Sequence, residues 1–178
     1  SMTETEATTG MFDGVHRGHQ ALLMRGGELA QEMDFPLSVL SFEPHPLRVL
    51  APEKCPAMLN TLPEKARIMQ SFGVDNLCIT TFNRVRADQS PEDFMAEMVE
   101  TYAPVVVVCG FNFSFGKGGA GDPAVLSELM GEGNCIIVPP VCVDGSPVSS
   151  SAIRRLIESG DTEEAAKLLG RPFFIDFP

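Results

Sequence analysis

The sequence predicts an α/β fold, a mostly parallel sheet with helices on both faces, and three observations carry that prediction. Short apolar runs bounded by turn residues alternate from end to end with longer amphipathic segments, the pattern of repeated strand–helix units. The segment "PVVVVCG", Pro104–Gly110, holds four consecutive valines, as expected of a strand covered on both sides. Several of the amphipathic segments also open with a capping residue followed by proline or a glutamate, which marks helix starts independently of hydrophobicity.

The elements follow in order. Residues 7–12 read as a weak first strand, because the "TETEATTG" around them is polar where an apolar run is expected. A helix follows over about 16–33, then a strand at 36–42, "PLSVLSF", and a proline-studded loop, "EPHPLRVLAPEKCPA". Thr61 with Glu64 three residues later forms a capping box, and Gly73 closes that helix. "DNLCITTF" is a strand; Ser90 and Pro91 start the helix that ends near Tyr102; Pro104–Gly110 is a strand near the sheet centre. A glycine-rich loop, "GFNFSFGKGGAGD", leads to a short helix begun by Asp122 and Pro123. "NCIIVPPVCV" is the last strand region, and two capped helices, "SSSAIRRLIESG" and "DTEEAAKLLG", complete the order. With no internal repeat, low-complexity tract or linker, one domain over 2–178 is expected; Ser1 reads as a vector-derived residue and is set aside.

Composition narrows the function classes. The 178 residues carry a formal net charge of -11, which disfavours nucleic acid and anionic membranes as partners but leaves room for a local anion pocket. No run approaches the roughly 18 apolar residues of a membrane span, and the polar N-terminus is not a signal peptide. Five cysteines, an odd number without C-x-x-C spacing, read as buried thiols in a reducing compartment, so a cytoplasmic protein is expected.

Three stretches fall where ligands bind an open parallel sheet, beyond the strand carboxyl ends. In "DGVHRGH", His16 and His19 are three apart and share a face if the helix starts there, beside unpaired backbone N–H groups suited to an anion. Gly14 and Gly18 allow a phosphate to approach closely. The same histidines could bind a metal with Asp13 and His45, although that spacing matches no zinc pattern, or simply cap the helix. In "FNFSFGKG", Asn112 offers an amide, Lys117 a mobile charge, and Phe111, Phe113 and Phe115 share a face if the segment is extended; they serve either as core or as a stacking surface for a nucleobase or flavin. In "VSSSAIRR", Ser149, Ser150 and Ser151 precede a helix bearing Arg154 and Arg155, which suits phosphate oxygens as well as ordinary capping. Three anion-suited loops in one chain favour the phosphate-binding reading.

"GMFDGVHRGHQALL" resembles the G-x-FDGVH-x-GHQ signature of the FMN adenylyltransferase (FAD synthetase) domain of bacterial bifunctional riboflavin kinase/FMN adenylyltransferases. The resemblance continues in order through "SFEPHP", "TLPEKARIMQSFGVD", "SPEDF", "GFNFSFGKGGAGD" and "VSSSAIRRLIESGDTEEAAKLLGRPF". It implies a Rossmann-like nucleotidylyltransferase fold and transfer of AMP from ATP to FMN, giving FAD and pyrophosphate with Mg2+. Carried over by motif, His16, His19 and Arg154 are the expected catalytic residues. Gly10, Phe12, Asp13, Gly14, Gly18, His19, Asn112, Ser149, Ser150, Ser151 and Arg154 are expected at ATP, and Phe42, Pro44, His45, Pro46 and Phe115 at the flavin, with Asn112 also the candidate for magnesium. The chain departs from the family pattern at Ser151, where threonine is usual, at Gly119, where a larger residue is common, and in its polar first strand. It stops just after "LLGRPFFIDFP", where the kinase domain normally begins, so riboflavin phosphorylation is not expected. Two alternatives remain open: nucleotidyl transfer to another phosphate acceptor, and a flavin- or nucleotide-binding module without catalysis.

Overall fold

In a computed structural model, residues 3–173 are described; Ser1, Met2 and the terminal residues 174–178 lie outside them. Five strands, β1 (Thr5–Thr9), β2 (Leu37–Glu43), β3 (Asn76–Thr81), β4 (Pro104–Gly110) and β5 (Cys135–Val138), form one sheet in the order β3-β2-β1-β4-β5. Every pairing in it is parallel. The expected Rossmann-like α/β fold is thus the one observed, and alternate side chains along each strand feed two separate cores. Ala7, Leu40, Val107 and Cys109 face one core, packed by helices α5 (Pro91–Tyr102) and α6 (Pro123–Met130) through Phe94, Met95, Met98 and Leu126. Val39 and Val108 face the other, under α1 (Arg17–Met33) and α3 (Leu62–Ser71), which contribute Leu22, Leu23 and Met69.

The first strand corrects the sequence reading. It begins at Thr5 rather than Ala7, ends at Thr9 rather than Phe12, and all five of its residues are buried at the sheet centre. Polar side chains are tolerated there because the pairing with β2 and β4 satisfies the backbone and the hydroxyls find partners. Thr5 Oγ1 donates to the Pro36 carbonyl at 3.0 Å, Thr9 Oγ1 to the Leu40 carbonyl at 3.3 Å, and Thr8 Oγ1 to Glu6 Oε1 at 2.7 Å. Helix α1 lies directly on this strand: a Cβ at Gly26 would stand 2.2 Å from Thr8 Oγ1. Tertiary pairing has overridden a weak local preference.

Other boundaries shift for local reasons. The last strand region divides, because Pro139 and Pro140 end β5 at Val138. Cys142–Val143 (β6) instead pairs antiparallel with Ser146–Pro147 (β7). The proline-studded loop contains a short helix, α2 (Pro46–Leu50), and residues Arg84–Ala87 form another, α4, capped by Asn83. Helices α7 (Ser150–Glu158) and α8 (Thr162–Leu169) pack together on Ile153, Ala165, Leu168 and Leu169, a third cluster that also takes in Leu59.

Candidate active site

The sheet order places a topological switch between β1 and β4, whose chain connections leave toward opposite faces and open a crevice at their carboxyl ends. The loop from β1 to α1 lines it. That loop turns sharply: Phe12, Gly14 and Val15 have φ of 56°, 90° and 41°. Phe12 and Val15 anchor it, their side chains being completely buried in the α1/α3 core.

His16 and His19 close the loop as a reciprocal capping box. His16 Nδ1 accepts from the His19 N–H at 3.3 Å, and His19 Nδ1 accepts from the His16 N–H at 3.2 Å. The rings stack with centroids 3.5 Å apart and 14° between planes. A ring whose Nδ1 accepts carries its proton on Nε2, so each keeps an Nε2–H donor that the helix cap does not use. Burial lowers the His16 pKa to about 4. His19 is also pushed well below the usual range, by burial first and then by the charges of His16, Lys65 and Arg171. Both are neutral donors in the free protein at neutral pH. Capping thus sets the tautomer and does not compete with a role as an anion donor.

Helix α7 is fastened to the same loop. Ser149 caps it, accepting from the Ala152 N–H, while Ser150 Oγ donates to the Asp13 carbonyl oxygen at 2.8 Å. The Asp13 carboxylate takes a guanidinium N–H from Arg154 on one oxygen and the Leu59 N–H at 2.9 Å on the other. Arg154 Nε also donates to the Ala57 carbonyl at 2.8 Å, and Arg171 donates to the carbonyls of Gly14 and Val15. Asp13 therefore orients Arg154, and a buried pair of this kind resists losing either member.

Two cavities meet here. The larger, about 680 Å³, is lined by Phe42, Phe82, Phe94, Phe113 and Phe115, with Pro46, Leu50, Arg86 and the glycine-rich segment 116–119 around it. The smaller, about 320 Å³, is lined by Asp13, His16, Gly18, Ser149, Ser150, Ser151 and Arg154, together with Phe111, Pro139 and Pro140. Met11, His19, Leu22, His45, Gly110 and Asn112 line both and so mark the junction. His45 caps α2 by accepting from the Leu47 N–H at 3.1 Å, and its pKa is lowered, mainly by burial.

Of the residues singled out from sequence, Gly10, His19, Phe42, His45, Pro46, Asn112 and Phe115 line the larger cavity. Phe12, Gly14 and Pro44 line neither, although Phe12 supports His19 with its ring centroid 5.3 Å away. The three phenylalanines do not share one face: Phe113 and Phe115 stack with centroids 5.6 Å apart, whereas Phe111 is 50 % exposed at the smaller cavity. Gly119 has φ of 69°, a backbone that suits glycine better than a larger residue. Among the described residues no three His, Cys, Asp or Glu side chains gather as a metal site. Sequence reasoning missed Met11 and Leu22 at the junction and Lys65 beneath it. Lys65 shares the buried stripe of α3 with Met69, and a lysine at that position of an amphipathic helix is the signal that could have revealed it.

A family model described as FAD synthetase matches residues 1–152. The chain is 36% identical over 168 residues to a bifunctional riboflavin kinase/FMN adenylyltransferase of Bacillus subtilis, covering 93% of this chain and 53% of that protein. It is 35% identical over 171 residues to a protein of Listeria monocytogenes named FAD synthetase, covering 94% and 69% respectively. The chain spans about half the length of the bifunctional relatives it matches. Among solved structures, a protein from Streptococcus pneumoniae described as a macrolide-efflux protein superposes with a TM-score of 0.86 at 28% identity, over 97% of this chain and 57% of that one. Among the described residues no helix is long and apolar enough to cross a membrane.

Proposed function

Because the chain belongs to the FAD synthetase family, we propose that it transfers the adenylyl group of ATP to the phosphate of FMN, giving FAD and pyrophosphate. The observation that carries this reading is the junction: an aromatic-lined cavity and a donor-lined cavity share Met11, His19, Leu22, His45, Gly110 and Asn112. The isoalloxazine ring occupies the larger cavity among its phenylalanines, with the FMN phosphate directed to the junction. The triphosphate lies in the smaller cavity, along the starts of α1 and α7, whose N–H groups, Ser149 and Ser150 favour negative charge.

An FMN phosphate oxygen then attacks the α-phosphorus in line; the new P–O bond forms as the bond to the β-phosphate breaks, and pyrophosphate leaves. The protein supplies position and electrostatic stabilisation. His16 and His19 donate from Nε2 to the oxygens where charge builds, and Arg154, held by Asp13 and the Ala57 carbonyl, faces the departing pyrophosphate. Magnesium, expected with ATP, fits the donors present: Asn112 offers one amide oxygen at the junction, which suits an ion carried mainly by substrate phosphates and water. When bound, it would neutralise phosphate charge.

The test is to incubate the protein with ATP, magnesium and FMN and to measure FAD and pyrophosphate. Equal amounts of both are expected. FMN binding without turnover would favour a binding module, and pyrophosphate released with a different phosphate acceptor but not with FMN would favour another transferase.

A further inference from the structure

Lys65 has no part in the reaction as described, and it is only 4 % exposed. It lies on the inward stripe of α3, one turn before Met69, where an apolar side chain of the same length would pack without the cost of burying an ammonium group. Packing therefore leaves its charge unexplained. Its Nζ donates to the Met11 carbonyl at 3.1 Å and lies 3.9 Å from Glu43 Oε1. Burial pulls its pKa downward, while Glu43 and Asp13 act in the opposite sense. Its two partners belong to different substrate loops. Met11 starts the turn that presents His16 and His19 and lines both cavities; Glu43 ends β2 and leads into His45 and Pro46, which line the larger one.

We propose that Lys65 is a positioning residue that ties the ATP-phosphate loop to the flavin loop and so sets the angle at which the two phosphates meet. The inference rests on the adenylyl-transfer reading above. Without the ammonium, the Met11 carbonyl loses its charged donor, and Glu43, still reached by solvent, is free to turn outward. Each loop keeps the side chains that touch its own substrate, so what is lost is their mutual alignment. In-line transfer is sensitive to that alignment, and a misplacement of about 1 Å costs on the order of a hundredfold in rate.

The experiment compares the wild type with Lys65→Met, measuring FAD formation at saturation, the separate affinities for ATP and FMN, and the melting temperature. The expected result is a loss of kcat of about ten- to a hundredfold, with both binary affinities held within about threefold. The melting temperature should be unchanged or higher, because a buried charge has been removed. A kcat within about threefold of wild type overturns the proposal, as does a loss of affinity that matches the loss of rate, which would mean that the lysine merely supports the cavities. If Lys65→Met does not fold, Glu43→Gln decides: it keeps the bond to Met11 and weakens only the tie to the flavin loop. It should lower kcat severalfold with binding preserved, and an unchanged kcat would overturn the tie. A wild type that makes no FAD removes the underlying reading instead, whereas an active wild type beside an equally active Lys65→Met removes this inference alone.

Discussion

At the scale of single residues, the stacked histidines carry the proposed stabilisation of charge. Each ring spends Nδ1 on a backbone N–H and keeps Nε2–H as a donor, so on the proposed reaction the useful form is the neutral one. His19→Ala is expected to lower kcat by about two to three powers of ten, as for loss of one oriented transition-state donor, with the far-ultraviolet spectrum unchanged. A pH profile tests the protonation state. The folded pKa of His16 is about 4 and that of His19 also lies low, so neither gains or loses a proton above neutrality. The rate should therefore hold level from about pH 7 to 8.5; an imidazolium requirement would instead make it fall about tenfold per unit above the ordinary histidine pKa of about 6.5.

Among the elements, β1 departs furthest from its sequence pattern, and Glu6 is the reason. Its carboxyl is fully buried in the central strand, with Oε1 held by Thr8 and Oε2 without a partner. Burial raises its pKa from 4.5 to about 8. The folded protein thus holds a proton that the unfolded chain releases above pH 4.5, so this group's contribution is fully present below 4.5 and is lost as pH rises to about 8. At pH 7 the loss is about 3 kcal/mol. Glu6→Gln removes that dependence, so the difference in unfolding free energy between variant and wild type should widen from pH 5 to 8; parallel slopes would contradict it. Elements carrying their own signals were readable from sequence: the valines of β4, Ser90 with Pro91 at α5, and Ser149 at α7. Strand β1 was readable only as a weak strand with shifted bounds, because its stability comes from two neighbours distant in sequence. The site followed the same rule. His16, Asn112 and Ser149 stand in recognisable local patterns, whereas Met11, Leu22 and Lys65 acquire meaning only when loops from different parts of the chain converge.

For the molecule as a whole, the proposed reaction uses two cavities that meet at one junction, so both substrates would be held at once before any bond changes. Initial rates at varied ATP and FMN should therefore give intersecting double-reciprocal lines; parallel lines would indicate an adenylylated enzyme and a two-step exchange. The binding surface is also assembled from widely separated stretches. The turn at Gly14 and Val15 is held from behind by Arg171, and Asp13 by Arg154, across sequence separations of 157 and 141 residues. During synthesis, which runs from the N-terminus, the central strand and both of its neighbours emerge long before those two arginines do. A nascent or C-terminally clipped chain should therefore form its sheet while the loop between β1 and α1 is still unbraced. On the proposed reaction ATP binding should therefore depend on helices α7 and α8, so a chain cut before Ser149 should keep its strands and lose its grip on ATP.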